Sequence, residues 1–158
     1  MDERFDGSLF GPSQPCFGCA PDHPIGFHLQ FVREGDDVVT RMVPGDVYQG
    51  PPGIMHGGLV ATLADEVGAW ACIAMAGKFG FTVSFSARFL RGVRIGKELE
   101  ARGRVVKPGS RFIDVEVKVT QEAQPCFSGE FRFLVLNKAG AERMLGRPLP
   151  EAWERFAR

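Results

Sequence analysis

The sequence predicts an α+β fold in which an antiparallel sheet of five to six strands curls around one long central helix. Three observations predict it. Residues 57–76 are apolar on nearly every side, two alternating apolar–polar segments precede them and four follow, and no internal repeat or linker divides the chain. With 158 residues, 44% of them hydrophobic, there is material for one domain with a substantial core, which excludes a disordered or low-complexity chain.

The expected domain spans residues 24–140, preceded by an irregular arm at 1–23 and followed by an extension at 141–158. In the arm, Gly7, Gly11, Pro12 and Pro15 interrupt any periodicity. Over 25–31, Ile25, Phe27, Leu29 and Phe31 alternate with His28 and Gln30, the pattern of a half-buried strand. A turn at 34–37 leads into a second strand at 38–43. Residues 44–53 combine three prolines with three glycines and must form a loop.

The helix follows. Twenty residues at 1.5 Å each make it about 30 Å long, and a helix apolar all round has to be wrapped by other structure. Residues 77–80 end it. Segments 81–90, 98–106, 112–120 and 127–136 then alternate, with Phe81, Val83, Phe85, Ala87 and Phe89 on one face of the first and Ile113, Val115, Val117 and Val119 on one face of the third. The breaks at 92–96, 108–110 and 122–125 suit hairpins. Residues 150–158 suit a short helix.

Nineteen basic and nineteen acidic side chains balance to a net charge of zero, which argues against a protein held to nucleic acid or to an anionic membrane by its overall field. No basic segment followed by an apolar run opens the chain, so no secretory signal is expected. Asp65 and Glu66 interrupt the longest apolar stretch, and each carboxylate would cost about 2.5–3.5 kcal/mol at mid-membrane. That stretch reads as a buried helix of a soluble protein. Four scattered cysteines do not make a disulfide framework, so a reducing, cytoplasmic setting is expected.

The chemistry concentrates where the helix begins. After His56, Gly57 and Gly58 let another atom approach the backbone, and the first helical N–H groups lack partners and sit at the positive end of the dipole. A carbonyl oxygen under attack would be stabilised there. Asp65 and Glu66 are the only charges in the helix, so at least one is expected to line a cleft, while the other serves in an ion pair with an arginine. Cys16-x-x-Cys19 with His23 suggests zinc, but four ligands are not evident, so no metal is expected and the thiols read as small buried groups.

His56-Gly57-Gly58 with Asp65, Gly53 three residues before the histidine, and the order of strands around the helix together resemble the hotdog-fold thioesterases of the phenylacetate-pathway (PaaI) type, over roughly residues 24–137. The lead-in from Cys16 through Cys19 to Gly26-Phe27 is also similar to that of some members. The resemblance implies a hotdog fold and hydrolysis of an acyl-CoA or acyl-carrier thioester to a carboxylic acid and a free thiol, without a cofactor, coenzyme A being part of the substrate. It implies Asp65 as general base or as nucleophile, the Gly57 N–H as carbonyl polariser, His56 as the residue that sets the turn, and Thr82 as holder of the attacking water. Gly58 and Gly50 would lie against the substrate. It also implies a homodimer or homotetramer with each site built from two subunits.

The sequence departs from the family at position 50, where many relatives carry Asn or Gln. Here that residue is Gly50, and Gln49 precedes it. Either Gln49 reaches the site or its contact is missing. The alternative function is a non-catalytic hotdog module that binds acyl-CoA or an acyl-carrier protein as sensor or partner. Phe-rich strands around the helix suggest an aromatic or medium-length acyl group. Hydration or dehydration of an acyl thioester on the same fold is disfavoured, because no His-Phe-Pro-Gly type segment precedes the helix.

Overall fold

A computed structural model describes residues 3–158; residues 1–2 of the expected arm lie outside the described residues. One antiparallel sheet holds β1 (Arg4–Asp6), β2 (Gln30–Glu34), β3 (Asp37–Met42), β4 (Gly80–Phe89), β5 (Leu99–Pro108), β6 (Phe112–Gln121) and β7 (Gln124–Val135) in the order β1-β2-β3-β5-β6-β7-β4. Helix α1 (Gly57–Ala76) lies in its concave face, and α2 (Lys138–Leu145) and α3 (Glu151–Glu154) close the chain. This is the hotdog architecture, with seven strands rather than five to six.

The seventh strand comes from the stretch read as an irregular arm. Three residues are too few to show a period of two, yet Arg4, Phe5 and Asp6 pair with Val32, Phe31 and Gln30. The pairing lets Phe5 stack on Trp70 of α1 at 5.4 Å between ring centroids, and Phe10 stacks on Trp153 of α3 at 3.9 Å. The arm thus covers one side of the helix.

The expected strand at 25–31 begins only at Gln30. His28 has φ +54°, a left-handed backbone that breaks an extended run. On either side of it, Phe27 and Leu29 donate their N–H groups to the carbonyls of Phe17 and Gly18 rather than to the sheet, and Ile25 is 64% exposed. Helix α1 runs over the expected residues and ends at Gly77, whose φ of +64° turns the chain while its N–H bonds the Ile73 carbonyl. It is long and apolar enough to cross a membrane, but here Val60, Leu63, Ala64, Val67 and Trp70 are buried in the core.

Ile113, Val115, Val117 and Val119 all point into that core at 0–1% exposure, as their alternation predicts. Two of the three expected hairpins form. Gln121 opposes Gln124 across a two-residue turn whose central Glu122 and Ala123 both have positive φ, the geometry that suits the twist of paired strands. Residues 92–96 form no hairpin, because β4 pairs with β7 and the chain must cross the sheet to start β5. This crossing is fixed by the Gln121 amide, which accepts from the Arg94 N–H and donates to the Arg94 and Lys97 carbonyls. It in turn holds the residues ahead of α1, since Met55 N–H donates to the Val93 carbonyl at 2.8 Å.

Two glycines set the distance between helix and sheet. A Cβ on Gly103 would lie 2.9 Å from Val67 Cγ1 and 3.1 Å from the Val67 carbonyl oxygen, and one on Gly68 would lie 2.8 Å from Phe133 Cζ. Gly103→Ala should therefore destabilise the fold by about 1–3 kcal/mol through overpacking, despite the lower unfolded-state entropy of alanine. Urea denaturation measures this, and an unchanged or raised midpoint would contradict so close an approach.

Candidate functional site

His56 ends the loop and caps α1. Its Nδ1 accepts the Gly58 N–H at 3.0 Å, and its carbonyl accepts from Leu59 and Val60. Its own N–H bonds the Tyr48 carbonyl, and the Tyr48 hydroxyl donates to the Gly26 carbonyl at 2.6 Å, tying the loop to the lead-in. With Gly58, Leu59 and Val60 engaged, the Gly57 N–H is the helix-start donor left without an acceptor among the described residues. His56 thus sets the turn that presents Gly57. A Cβ on Gly58 would stand 3.2 Å from His56 Nδ1, so glycine keeps this cap tight.

Gly57 forms part of the wall of a cleft of about 400 Å³ together with Met55, Val60, Phe89, Leu90 and Arg91. Phe89 belongs to a Phe-rich strand that the sequence offers only collectively as acyl lining, and Leu90 carries no signal beyond membership of that apolar segment. The surroundings are apolar apart from Arg91 and the backbone, which suits a partially negative oxygen in a poorly hydrated place.

Asp65 occupies a half-buried position two turns further along the helix and accepts a hydrogen bond from Thr82 Oγ1 at 2.6 Å. Burial pushes its carboxyl above the ordinary aspartate range, and the Thr82 hydroxyl partly offsets that. Thr82 reaches the helix because β4 is bulged. Thr82 lies opposite Phe133 and Phe85 opposite Phe131, both core-facing partners, with the register shift at Val83 between them. The bulge therefore corrects the expected face: Phe85, Ala87 and Phe89 keep to the helix side, whereas Phe81 lies opposite Leu134 on the other side. An unbroken alternation would have turned Thr82 away from Asp65.

Asp65 and Gly57 do not meet within one chain. Eight residues of α-helix separate them by roughly 12 Å along the axis, beyond the reach of a single carbonyl group. Along the same helix Ala61, Asp65 and Ala69 form a half-exposed stripe. Beside it β4 is the sheet edge, with Phe85 51%, Phe89 58% and Leu90 53% exposed.

Gln49 is not brought to this place. Its Nε2 donates to the Asp46 carbonyl and its Oε1 accepts the Gly53 N–H at 2.7 Å, so both ends of the amide are used inside its own loop. Gly50 packs against the capping histidine, where a Cβ would lie 3.1 Å from His56 Cα. Among the described residues Glu66 pairs with no arginine, contrary to expectation. It accepts from Trp70 Nε1 at 3.1 Å, a neighbour one helical turn on, and from Cys16 Sγ at 3.3 Å, a contact across fifty residues that no local pattern reveals.

The family model of the thioesterase superfamily matches residues 52–127, the stretch from the loop before α1 to β7. Among solved structures, a thioesterase superfamily protein is 25% identical with a TM-score of 0.71; the match covers 82% of this chain and 66% of that one. A Streptococcus mutans protein solved bound to acetyl CoA is 27% identical with a TM-score of 0.63, over 66% of this chain and 86% of that one. A hypothetical thioesterase of Streptococcus pneumoniae, solved with coenzyme A, matches at 24% identity and a TM-score of 0.61, over 65% and 82% of the two chains. The chain thus spans about two thirds of the first of these proteins and most of the other two.

His56→Ala removes the acceptor for the Gly58 N–H and should cost about 1 kcal/mol of stability, while His56→Asn restores a capping acceptor and most of that loss. Thermal melts of the two variants compare them. Equal melting of both with the unaltered protein would contradict the capping role.

Proposed function

We propose that this chain, a member of the thioesterase superfamily with the hotdog fold, hydrolyses an acyl-CoA or acyl-carrier thioester to the carboxylic acid and the free thiol. The observation that carries the proposal is the Asp65–Thr82 pair: a half-buried carboxylate, with its pKa raised by burial, on the open stripe of α1. Raised basicity suits a group that takes a proton from water near neutral pH. Thr82 engages Oδ1, which leaves Oδ2 for that water, and the threonine oxygen retains lone pairs that can accept from it.

In this reading the water oxygen attacks the thioester carbonyl carbon as its proton passes to Asp65. The carbonyl oxygen becomes an oxyanion that accepts the Gly57 N–H at the positive end of α1. Collapse breaks the carbon–sulfur bond, and the proton held on Asp65 neutralises the departing thiolate. Attack by Asp65 itself, through an anhydride, uses the same two groups. No cofactor is required beyond the coenzyme A of the substrate.

The separation of Gly57 and Asp65 by roughly 12 Å of helix supports a homodimer in which each subunit supplies one half of the site. The apolar edge of β4 and the adjoining half-exposed stripe of α1 support the same assembly, because large contiguous apolar patches and open strand edges are seldom left bare. A PaaI-type specificity, with an aromatic or medium-length acyl group beside Phe85 and Phe89, is the finer form of the proposal.

Asp65→Asn and Gly57→Pro test it on a panel of acyl-CoA substrates followed by thiol release. Proline is tolerated at the first helical position, where its ring carbon takes the place of the N–H and closes the donor position, so the helix should survive. Each variant should lose about 10²–10³-fold in kcat. Full activity of Asp65→Asn would contradict the proposal. Tight binding of acyl-CoA by the unaltered protein without turnover would select the binding-module reading, which the engaged Gln49 amide favours.

A further inference from the structure

Cys16, Cys19 and Glu66 bring two sulfur atoms and a carboxylate oxygen within 4.8 Å of one another. The expected zinc partner, His23, is not part of this group: its Nδ1 accepts the Ile25 N–H, and its ring packs edge-on against Phe17. The third donor comes instead from α1, fifty residues away in sequence.

The place is held by contacts independent of any ion. The Cys19 carbonyl accepts the Gly7 N–H, the Cys16 carbonyl accepts the Ala20 N–H, and Phe27 and Leu29 bond the carbonyls of Phe17 and Gly18 between the two cysteines. The Gln14 side chain accepts the Cys16 N–H and approaches Cys19 Sγ at 3.8 Å. Gly18 lets this loop lie on the carboxylate, since a Cβ there would stand 2.6 Å from Glu66 Cδ. Trp70, 1% exposed, orients the same carboxylate through its indole N–H. No lysine or arginine forms an ion pair with Glu66 among the described residues, so a half-buried anion faces two thiols with no cation beside it.

We propose that Cys16, Cys19 and Glu66 form a binding site for a thiophilic divalent cation of the Zn²⁺ type, which fastens the lead-in to helix α1. With Zn–S near 2.3 Å and Zn–O near 2.0 Å, tetrahedral sulfur and oxygen donors stand about 3.5 Å apart and two sulfurs about 3.8 Å, and Cys16 Sγ already lies 3.3 Å from Glu66 Oε1. Closing the site thus needs only small side-chain movements. Both thiols lose their protons to solvent as two zinc–thiolate bonds form, and water or the second Glu66 oxygen completes the tetrahedron. A softer metal preference follows from the two sulfurs: magnesium and calcium favour oxygen ligands alone. Adjacent helical residues point about 100° apart, so a cation on Glu66 lies to one side of Asp65 and serves the fold rather than the hydrolysis.

The test uses the full chain, reduced and freed of metal, titrated with zinc chloride against a chelating indicator. One zinc per chain should bind with release of about two protons, raise the melting temperature, and protect Cys16 from iodoacetamide. Cys16→Ser/Cys19→Ser should abolish uptake, Glu66→Gln should weaken it, and Trp70→Phe, which keeps an aromatic ring but removes the orienting indole N–H, should weaken it by about tenfold. Failure of the unaltered, folded protein to take up zinc stoichiometrically would overturn the proposal. So would undiminished affinity in both Cys16→Ser/Cys19→Ser and Glu66→Gln. Neither result bears on thioester hydrolysis, which Asp65→Asn tests separately.

Discussion

The close seating of α1 in the concave sheet is the constraint from which the rest of the molecule follows. Gly103 and Gly68 remove the side chains that would otherwise hold helix and strands apart, and Val67 and Phe133 fill the space. Once the helix lies that low, its buried face is fixed by Val60, Leu63, Ala64, Val67 and Ala71, and its other faces can only be covered by something else. On one side that cover is the N-terminal segment, through Phe5, Phe10 and the loop carrying Cys16 and Cys19. On the other it is β4, the sheet edge, whose Phe85 and Phe89 face the helix yet stay half exposed.

That asymmetry gives the two helix carboxylates different roles although they are neighbours in sequence. Glu66 points under the lead-in, where an indole N–H and a thiol donate to it. Asp65 points to the open side, where one threonine hydroxyl meets it and burial keeps its carboxyl above the ordinary range. A hydrogen-bonded carboxylate enclosed on all sides would be a structural group. One enclosed on a single side, beside an apolar strand edge, is placed to act on something that arrives there.

Much of this was legible in the sequence. The helix has a marker at each end, Gly57-Gly58 and Gly77, and the alternation of β6 is strict enough to give its bounds to within a residue and its buried face, while β5 and β7 were found with ends up to three residues off. His56 and Gly57 were legible because a cap and an unpaired N–H are local properties. Non-local contacts were not. The direction of Thr82 depends on a bulge that no alternation announces, β1 is too short to carry a period, and the crossing at 92–96 resembles a hairpin until the pairing of β4 with β7 is known. The approach of Cys16 and Cys19 to Glu66 joins segments fifty residues apart and has no signature in either. Gln49, read as a possible substitute for the missing side chain at position 50, turned out to be engaged by its own loop.

The central claim is that one reaction centre is assembled from Gly57 of one subunit and Asp65 of another. Mixing two inactive variants measures it directly. If Asp65→Asn and Gly57→Pro are co-refolded in equal amounts, half the dimers are mixed, and each mixed dimer holds one intact site and one with both defects. Activity should return to about a quarter of that of the unaltered protein. A mixture no more active than its two components would contradict a shared site.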